Sequence, residues 1–251
     1  MYLEEPILIP AYYDILLQEQ PDKDLRVERI VHGVAWTAAV LQNGQVGVAM
    51  HTLGETRPRT LPTLEGLSAG EAARAALSWN FEEAGEGMAV LNACFNTEER
   101  LEALGCRYTA SSLEGVDLAG KKVGLVGHLV HHGGLTEQML SVAKELVILE
   151  REPKPGDYPD SACEYLLPDC EVVLITGSAS VNKTMPRLLE LAKNARIVLT
   201  GPTVPLCPGL LDLGIQRLNG SVVLDGEGLL RRIVQERTSV SAYSRYFTLG
   251  E

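Results

Sequence analysis

The chain has 251 residues, is 45% hydrophobic and 22% charged, and carries 22 basic against 33 acidic side chains for a net charge of −11. This composition excludes a disordered or collagen-like chain. The negative balance and the 5% aromatic content argue against a nucleic-acid footprint, a base-stacking platform or docking on an anionic membrane.

No apolar run reaches the ~18 to 20 residues needed to span a bilayer. The N-terminal stretch Met1 to Pro6 is acidic where a signal peptide is basic. The five cysteines (94, 106, 163, 170 and 207) form no CxxC pair, so a disulfide framework or zinc ribbon is not expected. The expectation is a cytoplasmic protein with reduced thiols, of which Cys207 is best placed for a pocket.

In chain order, a short amphipathic helix is predicted over Tyr12 to Glu19. Two strands follow, Val27 to Val31 and Ala35 to Leu41. The Asn43-Gly44 turn leads into a third, Val46 to Met50. Residues 51–68 read as loop. Helices are predicted over Ala69 to Trp79, opened by a Ser68/Glu71 capping box, and over Glu83 to Phe95. Strands first and helices after is an α+β arrangement.

Beyond Gly120 the pattern alternates. Strands are predicted at Lys122 to Gly127, Leu146 to Glu150, Glu171 to Thr176, Ala195 to Thr200 and Ser221 to Asp225. Helices are predicted at Leu135 to Lys144, Ser161 to Leu167 and Thr184 to Lys193. Continuous Val/Ile/Leu runs joined through helices define a doubly wound parallel sheet of about five strands. The fold class is therefore α/β with two domains, 1–112 and 113–251.

Ligands of such sheets lie beyond the carboxyl ends of the strands. There the sequence places Gly127-His128, Glu150, Thr176-Gly177 and Gly201-Pro202, with Asn182 nearby. Asn80 and Asn92 are polar residues in helical, apolar surroundings and join this set as cleft candidates. His128, with Glu150, is the expected metal pair. His131 and His132 stand beside His128, and His32 and His51 are further imidazoles; whether His131 and His132 take part is left open. Thr52 to Leu67 and Arg151 to Asp160 are candidate lids. A nucleotide reading rests on the spacing from Gly127 to Glu150, but the glycines do not form GxGxxG. No GxSxG, P-loop or HExxH motif is present.

An ordered set of motifs, Ser78-Trp-Asn80, Val90-Leu-Asn-Ala93, Val126-Gly-His128, Leu149-Glu150, Ile175-Thr-Gly177, Asn182-Lys-Thr184 and Leu199 to Pro205, resembles the family of unknown function called "putative heavy-metal chelation domain". The resemblance implies an N-terminal domain similar to the enolase N-terminal fold, a Rossmann-like second domain, and a cleft site for a divalent or heavy-metal ion or its chelate. The alternative is a Rossmann-type enzyme acting on a small metabolite with a nucleotide or S-adenosylmethionine-like cofactor. Whether turnover occurs, and whether identical chains associate into a homo-oligomer, are left open.

Overall fold

A computed structural model describes residues 9–52, 57–111, 113–128 and 135–251. The smaller of its two sheets is antiparallel, in the order β1 (Val27–His32), β2 (Trp36–Leu41), β3 (Val46–Met50). Every residue of β2 is buried. Its Ala39 and Leu41 enter a core with α2 (Ala69–Ala73) and α3 (Phe81–Phe95), while Trp36, Ala38 and Val40 pack on Leu229, Leu230 and Ile233 of α8 (Gly226–Ile233). A sheet covered on both faces needs continuous apolar strands, which is why β2 reads as one.

The larger sheet has eight strands. Six are parallel: β5 (Lys122–Val126), β6 (Glu145–Glu150), β7 (Tyr158–Pro159), β8 (Val172–Thr176), β9 (Arg196–Thr200) and β10 (Ile215–Val223). Their spatial order, β7-β6-β5-β8-β9-β10, is the doubly wound 3-2-1-4-5-6 arrangement. Two antiparallel strands, β11 (Ser244–Gly250) and β4 (Arg107–Thr109), extend the β10 edge. The sheet thus exceeds the five predicted strands by β4, β7 and β11, which are too short or too mixed in polarity to announce themselves. The strand expected to start at Ser221 starts at Ile215, because β10 pairs first with β9 and then with β11.

Helices follow the predicted order with local differences. The Ser68 capping box forms as expected. The helix after it tightens into a 3-10 turn over Arg74–Leu77, where its backbone passes Gly87 of α3. Pro168, with no amide hydrogen, confines the Ser161 to Leu167 helix to α6 (Cys163–Leu166) between 3-10 turns. Helix α4 (Glu98–Ala103) and α8 were not predicted; α1 (Ala11–Glu19), α5 (Leu135–Val142) and α7 (Met185–Leu191) were. No helix among the described residues is long and apolar enough to cross a membrane.

Candidate functional site

In a doubly wound sheet the strand order reverses at its first strand, here β5, and a crevice opens at the carboxyl ends beside it. A cleft of about 640 Å³ lies there. Gly127, His128, Glu150, Thr176 and Asn182, all expected from the sequence, line it. Met50, the last residue of β3, and His51 and Thr52 just after it also line the cleft. Gly177, Gly201 and Pro202 lie in an adjoining niche of about 60 Å³, which shares His128, Thr176 and Met50 with the cleft.

Two expected residues are placed elsewhere. Asn80 is the N-cap of α3: it accepts the Glu83 amide at 2.9 Å and donates to the Arg57 carbonyl at 2.7 Å. Asn92 is buried and donates to the Val48 carbonyl at 2.8 Å, tying α3 to β3. Both amides find backbone partners, so neither presents itself to the cleft. Cys207 is likewise corrected: fully buried, it donates from Sγ to Glu19 at 3.2 Å, and burial pushes its thiol up to about 12. The stretch holding His131 and His132 lies outside the described residues.

Gly127 follows β5 directly with φ +86°, and a Cβ there would stand 2.5 Å from Thr176 Oγ1. Only glycine meets both demands. Gly127→Ala is expected to cost about 2 kcal/mol or more, the left-handed penalty plus displacement of Thr176. An unchanged urea midpoint would show that the turn relaxes freely.

The segment carrying Thr176 to Thr184 is anchored from α1. The Tyr12 hydroxyl pairs with Ser180 Oγ at 2.7 Å, and Tyr13 donates to the Ser180 carbonyl at 2.7 Å. Lys183, at φ +69°, donates to the Ala76 carbonyl and lies over the Tyr13 ring; burial brings its ammonium down to about 7. Asn182 accepts from the Thr184 amide and hydroxyl, fixing the entry to α7.

Glu150 accepts from the amides of His128 and Arg151, so both its oxygens already organise the turn. His128 Nε2 lies 2.7 Å from Asp157 Oδ2, whose carboxylate is nearly enclosed. Burial alone would raise that carboxyl, but bonds from His128 and the Lys154 amide outweigh it and hold the group below its usual range. An imidazole oriented by a carboxylate can hold or pass a proton at its other nitrogen. Asp157 was not singled out within the Arg151 to Asp160 loop, because only the fold brings it to His128. The pair expected to bind metal, His128 and Glu150, thus has other partners in this structure.

A different trio does converge. His32, Glu82 and Glu86 each offer a ligand atom, all within 4.8 Å of one another. His32 Nε2 lies 3.0 Å from Glu86 Oε1, and Nδ1 lies 3.7 Å from Glu82. Arg59 forks onto both oxygens of Glu86 at 2.6 and 2.9 Å. The bond to Glu86 raises His32 above its usual value against the effect of burial. For Glu86, burial acts upward but the His32 and Arg59 bonds prevail and lower it. The Thr37 hydroxyl joins this trio to the cleft, pairing with His51 Nε2 at 2.9 Å and lying 3.4 Å from His32. The missed signal was the four-residue spacing of Glu82 and Glu86, which puts both carboxylates on one helix face.

Fold and site define a two-sheet α/β protein with a cleft at the switch point of a doubly wound sheet. Two family models match the chain: DUF364 over residues 112–248 and DUF4213 over residues 13–95, both described as putative heavy-metal chelation. A crystal structure of a DUF364 protein of unknown function from Desulfitobacterium hafniense is 34% identical, with TM-score 0.85 over 96% of this chain and 98% of that one. One from Pyrococcus horikoshii is 22% identical, with TM-score 0.80 over 96% and 99%, and shares the fold. An uncharacterized protein of Methanocaldococcus jannaschii is 27% identical over 83% of both chains. The chain belongs to the DUF364 family.

Proposed function

We propose that the protein binds a divalent or heavy-metal ion, or a small chelate of one, beside the cleft, with His32, Glu82 and Glu86 as the protein ligands. The convergence of three ligand atoms within 4.8 Å carries this reading. Around a metal at ~2.1 Å, ligand atoms stand about 3 to 4 Å apart, so a small contraction suffices. One imidazole and two carboxylates suit borderline metals such as zinc and leave positions open for a chelate or water. The family description points the same way.

Metal content of untagged protein and calorimetric titration with zinc, nickel, cobalt and copper test the reading. Glu86→Gln and His32→Ala should each weaken binding about tenfold or more. Arg59→Ala should strengthen it, because the guanidinium competes for Glu86. If Arg59→Ala weakens metal binding, or Glu86→Gln leaves it unchanged, the trio is not the site. Loss of binding confined to His128→Ala and Glu150→Ala would return the metal to the strand ends.

A second reading is favoured by one observation: Glu150 ends the second parallel strand, where dinucleotide folds place a ribose-binding acid. Here the protein would be an enzyme using a nucleotide or S-adenosylmethionine-like cofactor on a small metabolite. NAD, ATP and S-adenosylmethionine at about 100-fold their dissociation constants would each add about 2.7 kcal/mol of stability if bound. No thermal shift with any of them would rule this reading out.

A further inference from the structure

The niche beside the cleft is chemically unlike the cleft. The cleft is rimmed by Glu150, Glu152, Asp160 and Glu164 with Arg151 and Arg187. Among the described residues no carboxylate, lysine or arginine lines the niche, and its polar surface is mostly hydroxyl. Thr176 and Thr200 are register partners across β8 and β9, so their side chains leave the same face of the sheet.

Several hydroxyl hydrogens on this wall have no acceptor among the described residues. Thr200 is fully buried, and its Oγ1 has no hydrogen-bond partner among the described residues. Thr176 and Ser178 share one bond at 3.0 Å, which commits one hydrogen and leaves the other. Thr203 Oγ1 accepts the Met50 amide at 2.9 Å, so its own hydrogen also remains to be given. Buried hydroxyls without partners are costly and rare. Three donors facing one space suit a group rich in lone pairs.

We infer that this niche is a subsite for the carboxylate of a small organic ligand. A carboxylate offers two oxygens with about four acceptor sites, enough for all three hydroxyls. The niche volume of about 60 Å³ exceeds the ~10 to 15 Å³ that one water requires. Trp36, Met50 and Val240 supply apolar walls for a short carbon stem. An ammonium group would meet no carboxylate there, despite the overall acidity of the chain. The inference stands without the metal reading.

The test uses full-length protein stripped of metal on a chelating resin and labelled at its threonine methyls. Acetate and glycolate should shift the Thr176 and Thr200 methyl resonances saturably at millimolar concentration, and acetamide, which carries an N–H₂ group, should not. Thr200→Val should lower acetate affinity about tenfold, as expected for a lost hydrogen bond to a charged group. Its unfolding temperature should hold or rise, because an orphan hydroxyl is replaced by a methyl. Thr176→Val should weaken acetate likewise. No saturable shift, an equal response to acetamide, or undiminished affinity in both variants would overturn the inference. Carboxylate binding that survives loss of the His32 trio would separate this subsite from the proposed metal centre.

Discussion

Gly47→Val is expected to prevent stable folding. Gly47 lies in β3 against α3, and an added Cβ would stand 2.1 Å from the Ala93 nitrogen, 2.2 Å from the Ala89 carbonyl oxygen and 2.6 Å from the Asn92 carbonyl carbon. These are backbone atoms, which cannot swing aside as the end of a side chain can. Nor can the helix retreat. From Glu83 to Phe95 every residue of α3 is buried, and a Cβ on its Gly87 would meet the Ala76 nitrogen at 2.1 Å. The helix is therefore held between two backbones, with the Asn92 bond to Val48 fixing its height on the sheet. Overpacking usually costs about 1 to 3 kcal/mol because side chains adjust. Here a loss above about 4 kcal/mol is expected, a large share of the stability of any domain. Soluble yield and urea unfolding measure it. Gly44→Ala, at a turn with φ +84° and nothing within 4 Å, is the control and should cost only about 1 kcal/mol. A Gly47→Val protein with a normal midpoint would contradict this packing of α3.

The parts of this fold visible in the sequence are those whose pattern is set locally. Strands β2, β5, β8 and β9 are apolar runs because both faces are covered, and turns such as Asn43-Gly44 announce themselves by residue type. Strand β11 and helix α8 were not visible, because their roles depend on partners remote in sequence: β10 for the strand, the three-stranded sheet for the helix. The site divides in the same way. The rule that ligands sit at strand ends leads to Gly127, His128, Glu150 and Thr176, which line the cleft. It could not find Asp157, or the meeting of His32 with Glu86, since each pair joins separate elements. Asn80 and Asn92 lie away from the cleft lining for a complementary reason. A buried amide satisfied by backbone carbonyls looks, in sequence, like one waiting for a ligand.

The second large effect is expected at Glu83, a buried residue in the first turn of α3. It accepts the amides of Thr60 and Leu61 at 2.5 and 2.6 Å and the hydroxyl of Ser78. Burial would raise this carboxyl, but the bonds from Leu61, Ser78 and Thr60 overcome it and hold the group below its ordinary value. Glu83→Ala orphans two amides and a hydroxyl at once. A hydrogen bond to a charged group is worth about 1.5 to 3 kcal/mol, so losing all three should cost about 3 kcal/mol or more, whereas Glu83→Gln keeps an acceptor and should cost about half as much. The pH dependence follows from the sign of the shift. A carboxyl with a folded pKa below its unfolded one contributes fully above the unfolded value and loses that contribution as pH falls through the folded one. The difference in unfolding free energy between wild type and Glu83→Gln should therefore be constant near neutrality and shrink below about pH 4. Urea titrations of both proteins across that range measure it, and a gap independent of pH would mean that the charge on Glu83 contributes nothing. The consequence reaches the proposed metal trio. Glu83 holds residues 60 and 61, and Arg59, the neighbour of Thr60, forks onto Glu86. Releasing the loop at Glu83 frees Arg59 from Glu86, so a Glu83→Ala protein should bind zinc more tightly than wild type even as it unfolds more easily.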